Sequence, residues 1–246
     1  MDTTLRDAKT GLMLEHDALE DPAAADAPYG SQNPHMHLYE VALQAFEMTQ
    51  NPVWLERAGK MRAKGLEYFF DAETGSMTEF IAADLSVEPG ADGERRDIGH
   101  QCEWAWLLTR EAELGGDPKS REIADRLTAF AQSHGYATEN VMSGAVYDAV
   151  ANDLGWTEER FRLWPQTEAI KADVVRAADP VIAKRAQRHA LRMFQRYFAG
   201  YAGYVYQLDA SGNVIWDEGL SRLLYHIVVA MTEGARMGLW QGPGVK

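Results

Sequence analysis

A repeat constrains this chain more than any other feature. Four stretches follow one order: a short strand pair around a turn, then an amphipathic helix. They are DAKTGLMLEHDALEDP leading to NPHMHLYEVALQAF, DAETGSMTEFIAADLSVEPGADG leading to GHQCEWAWLLTREAEL, SGAVYDAVANDLGW leading to RLWPQTEAIKADVV, and GYVYQLDASGNVIWDE leading to SRLLYHIVVAMTEGA. His37, His100, Gln166 and His226 hold corresponding places in the four helices, 63, 66 and 60 residues apart. Units of this size cannot bury their apolar faces alone and must stack on one another.

The strand pairs are read from turn chemistry. Lys9-Thr10-Gly11, Glu73-Thr74-Gly75 and Ala210-Ser211-Gly212-Asn213 each set Gly or Asn between alternating segments. The helices are read from their period. Leu38, Ala42, Ala45 and Phe46 share a face, as do Trp104, Leu107 and Leu108, and Leu223, Ile227, Met231 and Ala235. Second helices lie between the units, over residues 53–69, 119–134 and 180–199. Asn51-Pro52, Asp117-Pro118 and Asp179-Pro180 open them, with a capping side chain and Pro in the first turn. Their charged faces mark them as outer helices, and the more apolar anchored helices read as inner ones.

One repeat is therefore hairpin, inner helix, outer helix. A closed ring of such units would point the starts of the inner helices at one central cavity. Seven helices are legible, ending on an inner one, and a ring of six inner and six outer helices needs five more. Residues 21–29 read as a loop. No linker interrupts the chain, so one domain is expected over 1–246.

Composition limits the partners. Apolar residues are 46% of 246 and charged residues 25%, which fits a soluble globular protein. A formal charge of −13 disfavours nucleic acid and anionic membranes, since both need a basic footprint. With Cys102 alone, no intramolecular disulfide forms, which fits a reducing compartment. No apolar run approaches the roughly 18 residues of a membrane span. The start MDTTLRDAKTGL lacks a signal-peptide core, and a cytoplasmic location is expected.

Three inner helices carry a histidine in register, His37, His100 and His226, and the third carries WPQTE with Glu168. Histidine titrates near neutrality and suits proton transfer. His16, His35, His134 and His189 fall outside the register, and the last two are expected on solvated outer-helix surfaces. Glu103 lies three residues after His100, on one helical face, where it could orient the ring. Trp104, Trp106 and Trp164 serve a core, or offer the flat apolar faces that sugars stack on. Asn33 reads as a cap of the first inner helix, and Cys102 as packing. No zinc-ligand spacing, phosphate-binding glycine loop or GxSxG elbow is present.

NPHMHLYE, GHQCEWAWLL, RLWPQTEAIKA and LLYHI, in this order and spacing, resemble the N-acylglucosamine 2-epimerase superfamily from about residue 7 to residue 240. EWAWLL together with WPQTE is most similar to its mannose isomerase branch, sometimes labelled mannose-6-phosphate isomerase-like. The resemblance implies an all-α (α/α)6 barrel that epimerises or isomerises a small neutral sugar without metal or cofactor. It implies that His100 and His226 are the acid/base pair, and that Glu103 and Glu168 position histidine or bind hydroxyls. Asn33 and His37 would contact the sugar, and Trp104 and Trp164 would line the cavity. In such chemistry a base takes the C2 proton of the open-chain sugar and leaves a cis-enediolate. An isomerase returns the proton to C1, and an epimerase to the other face of C2.

Six repeats would need about 380 residues, so about four are expected here, with about two absent on the N-terminal side. The family's early substrate-binding arginine then has no counterpart. Exposed apolar flanks of a partial ring predict self-association. The leading expectation is an aldose–ketose isomerase of the mannose/fructose type. A 2-epimerase and a shortened inactive member are alternatives. A glycoside hydrolase using Glu103 and Glu168 is a further class, but it leaves the registered histidines unexplained.

Overall fold

The computed structural model describes residues 6–7, 9–14 and 30–241. His16 and the expected loop 21–29 lie outside the described residues. The described helices, in chain order, are α1 (Asn33–Thr49), α2 (Pro52–Phe69), the single-turn α3 (Ala91–Glu94), α4 (Ile98–Glu113), α5 (Ser120–His134), α6 (Leu163–Val174), α7 (Pro180–Tyr197) and α8 (Leu223–Arg236). The seven long ones follow the expected inner and outer order.

Their starts are set by the predicted chemistry. The side chains of Asn51, Asp117 and Asp179 accept from the backbone N–H of Val53, Lys119 and Val181, at 3.1, 3.0 and 2.7 Å. Asn51 and Asp179 thereby satisfy a donor that the first helical turn leaves open, and Asp117 closes the turn just before α5. Asn33 differs from expectation. Gln32 occupies the cap position without a capping side-chain bond, and Asn33 is the first helical residue. Its N–H donates to Ser31 Oγ at 3.3 Å.

Antiparallel pairings precede the inner helices: Arg6 with Met13, Phe70 with Met77, Tyr136 with Val146, and Leu208 with Val214. Gly11, Gly75, Gly144 and Gly212 turn these pairs with φ of 75°, 74°, 79° and 78°. That left-handed conformation suits glycine because it lacks Cβ. Gly144 is the turn that the sequence had left unplaced in the third unit.

Contacts divide the chain into two units. The first holds residues 1–96, 107–123 and 151–153, and the second holds 97–106, 124–150 and 154–246. In the first, α1 packs on α2. The stripe that α1 buries is His35, Met36, Tyr39, Glu40, Ala42 and Leu43. Leu38, Ala45 and Phe46, expected on the buried face, are only half-buried. The shift follows polar partners: Tyr39 Oη donates to Glu111 Oε2 at 2.5 Å, and Arg62 Nε lies 3.0 Å from the same carboxylate.

In the second unit α6 packs on α7 and α8. Ile170, Val174, Ala186, Met193, Tyr197, Leu223, Ile227 and Ala230 form its main core. Cys102 sits in a second cluster with Ile98, Phe130, Val146 and Ala169, and burial pushes its thiol pKa up. Helix α6 is buried on every side, from Pro165 to Val174. A helix enclosed in this way carries polar residues only where they meet partners. Among the described residues, no helix is long and apolar enough to cross a membrane.

Candidate active site

The chemistry of the second unit gathers on α6. Glu168 and Lys171 lie one turn apart, and both side chains are wholly buried. Lys171 Nζ is 2.5 Å from Glu168 Oε2 and 3.7 Å from Glu103 Oε1 of α4. The ammonium also stands 3.9 Å from the ring centroid of Trp106, a cation–π distance. Trp106 Nε1 in turn donates to Glu233 Oε2 of α8 at 3.1 Å.

His226 Nδ1 meets Glu168 Oε1 at 2.8 Å. Burial pushes the Glu168 carboxyl up, but the Lys171 ammonium and His226 outweigh it and hold the group below its usual range. Glu168 is therefore a carboxylate at neutral pH. A carboxylate only accepts hydrogen bonds, so Nδ1 of His226 carries the proton. In the neutral ring Nε2 is then a free base. Tyr225 lies against the imidazole with ring centroids 4.0 Å apart. The ring remains partly open, with 12% of the side chain exposed.

Trp164, at the second residue of α6, joins the two histidines. Its ring centroid is 4.8 Å from that of His100 and 6.0 Å from that of His226. Gly99 makes this packing feasible, because a Cβ there would lie 2.2 Å from Trp164 Cζ3. His100 Nδ1 has Asp97 Oδ2 at 3.7 Å, a carboxylate neighbour that the sequence reading did not name. His100 is 15% exposed at the side chain.

Of the residues expected at a site, His100, Glu103, Trp164, Glu168 and His226 thus share one network in the second unit. Trp104 belongs to the same helix stretch and is wholly buried. Asn33 and His37 lie on α1 in the first unit, where His37 Nδ1 is 3.8 Å from Glu40 Oε2. Gln166, at the histidine register of the third repeat, has another task. Its amide accepts from Val146 N at 2.9 Å and donates to Val146 O at 2.8 Å, so it clamps the hairpin. The third repeat gives Glu168 and Trp164 in place of a histidine.

Sequence reasoning missed Lys171. Its only signal was a lysine inside WPQTEAIKADVV, an otherwise largely apolar inner helix. His189, expected on a solvated surface, is instead stacked on Tyr136 at 5.5 Å, with Nδ1 3.2 Å from Asp173 Oδ2. Arg185 binds both oxygens of the same carboxylate. His35 is buried with Nε2 accepting from Met13 N at 2.9 Å, and burial lowers its pKa to about 4. Donor atoms of Glu103, Glu168 and His226 lie within 4.8 Å of one another, a gap suited to a cation. The chain places its own cation, Lys171, against both carboxyl groups.

The family profile described as N-acylglucosamine 2-epimerase (GlcNAc 2-epimerase) matches residues 1–230. A curated relative, "Mannose-6-phosphate isomerase" of Rhizobium meliloti (strain 1021), is 31% identical over 215 residues, covering 84% of this chain and 54% of that protein. A solved structure titled "Crystal structure of D-mannose isomerase" superposes with a TM-score of 0.77 at 21% identity, over 95% of this chain and 63% of that one. The cellobiose 2-epimerase from Bacillus thermoamylovorans B4167 follows at 0.73 and 15%, over 96% and 61%. These likenesses establish an (α/α)6-type fold. The chain spans about half the length of the curated relative it matches.

Proposed function

Because the chain belongs to the N-acylglucosamine 2-epimerase family, a family of carbohydrate epimerases and isomerases, we propose that it interconverts an aldose and a ketose of the mannose/fructose type. The observation that carries this reading is the Lys171–Glu168–His226 arrangement, with His100 and His226 both beside Trp164. His226 Nε2 takes the C2 proton of the open-chain sugar, and the bond electrons pass into a cis-enediolate. A protonated imidazole then returns a proton to C1, and O2 loses its proton as the ketone forms. His100 shuttles the proton between the two hydroxyl oxygens. A group poised near the working pH serves both as base and as acid. Trp164 offers an aromatic face beside both rings, and Glu103 and Trp104 are proposed to shape the sugar site.

The hydrolase alternative needs a carboxylic acid with a raised pKa as proton donor. Glu168 is shifted the opposite way. A product assay tests the proposal: the full chain is incubated with D-mannose, and sugars are separated by chromatography. Fructose is the expected product. A second aldose with no ketose would make the chain a 2-epimerase, and an unchanged sugar would refute both readings.

A further inference from the structure

Lys171 is the member of this network that the proposed reaction leaves without a task. Its amine is wholly buried, and desolvation by itself favours the neutral form. Its surroundings oppose that. Glu168 stands at 2.5 Å, Glu103 at 3.7 Å, and the Trp106 ring face at 3.9 Å. The bond from Trp106 Nε1 to Glu233 fixes that ring in place. A strongly hydrated ammonium is costly to bury, and two carboxyl groups with one π face replace its water shell.

We propose that Lys171 is a positioning residue: its ammonium keeps Glu168 ionised, so that His226 holds its proton on Nδ1 and presents a bare Nε2 to the sugar. The inference rests on the reading of His226 as a proton-transfer group. The reason lies in what the pair would do without a cation. A buried carboxylate facing a neutral imidazole has two ways to gain a proton. Glu168 itself could take one and donate it to Nδ1, which moves the ring proton to Nε2 and blocks the base. Alternatively, the imidazole could keep a second proton and stay cationic through neutral pH. A fixed positive charge behind Glu168 disfavours both outcomes.

Charged groups on the neighbouring elements fit this assignment. From α4 comes Glu103, and from α8 come His226 and, through Trp106, Glu233. Asp173, two residues on from Lys171, is held by Arg185 and His189 of α7. Glu233 is paired with Arg236 at 2.9 Å, so the acidic members are answered by basic partners, and the basic partner of Glu168 behind His226 is Lys171.

The test is histidine side-chain 15N NMR on the full chain, with His226 assigned by a His226→Gln variant. The wild type is expected to show the Nδ1–H tautomer when the ring is neutral. In Lys171→Met the titration midpoint of His226 should rise by about 1–3 pH units, or the ring should switch to Nε2–H. The acidic limb of ketose formation should move up with it, in kcat more than in KM. Lys171→Arg, which keeps the charge, should restore most of both. An unchanged tautomer and midpoint in Lys171→Met would overturn the proposal. If that variant does not fold, lysine 13Cε titration of the wild type decides. Lys171 is expected to stay cationic through neutral pH, and a midpoint at or below pH 7 would overturn the proposal. Failure of the isomerase reading looks different: no ketose from the wild type, with the NMR signatures intact.

Discussion

Two buried networks in this chain have the same plan and different donors. In the first unit Tyr39 Oη donates to Glu111, and Arg62 stands behind that carboxylate. In the second unit His226 Nδ1 donates to Glu168, and Lys171 stands behind it. Both place an acceptor out of water between a cation and a neutral donor. Burial and the neighbouring Glu111 push the pKa of Tyr39 well above its ordinary value, so its proton stays in place at neutral pH. Imidazole titrates near neutrality and carries a second nitrogen that the carboxylate leaves free. The shared plan is a way to bury charge; the donors differ in that a phenol keeps its proton at neutral pH and an imidazole can exchange one.

The comparison breaks most visibly at the donors. His226→Gln should reduce ketose formation by about 10²–10⁴-fold, the usual worth of a general acid–base group, with little change in melting temperature. Glu168→Gln should cost about 10²-fold, near the lower end of that range, because the amide can donate to Nδ1 and favour the wrong tautomer. Steady-state assays with D-mannose check both. Tyr39→Phe should act in the opposite sense. It removes a hydrogen bond to a buried charged group and should destabilise the chain by about 1.5–3 kcal/mol in denaturant unfolding, with kcat unmoved. Gly99→Ala should cost about 1–3 kcal/mol through overpacking against Trp164. It should also raise KM, since the Trp164 ring that both histidines touch has to shift.

A smaller effect sharpens the comparison through pH. The Glu168 carboxyl has a lower pKa folded than its ordinary value of 4.5. Its pairing therefore stabilises fully above that value and is lost as pH falls below it toward the folded pKa. Thermal melts of Glu168→Gln should show a shallower decline with acidification than the wild type over that range.

Much of the fold was legible because it is written in local chemistry. Asn51-Pro52 and Asp179-Pro180 specify a cap and a fixed φ in adjacent residues, and the helices start there. Gly11, Gly75 and Gly212 marked turns by a conformation that few other residues adopt. The faces of inner helices were harder to read. Helix α6 is buried all round, so its pattern offers no contrast between a wet side and a dry one. On α1, Tyr39 and Glu40 are buried beside apolar residues, and a reading by hydropathy alone rotated the stripe.

The histidines and carboxylates of the candidate site were named from the sequence, and what holds them was not. Glu168 and Lys171 stand at i and i+3, a spacing that by itself does not tell a surface pair from a buried one. Only the packing of α4, α6 and α8 makes that pair wholly buried and turns it toward His226. Likewise, the pairings of Asp97 with His100 and of Arg185 with Asp173 could not be read from spacing, because they depend on side-chain geometry. Gln166 kept the register of the histidines while bonding to backbone, which shows that a repeat position does not by itself assign a role.

The most direct test of the account is solvent exchange during turnover. The full chain and its His226→Gln variant are incubated with D-mannose in deuterated water, and the sugars are read by NMR. The account predicts fructose carrying deuterium at C1 from the wild type, and a loss of about 10²–10⁴-fold in the variant. Equal conversion by the variant, or no ketose and no deuterium incorporation with the folded wild type, would contradict it.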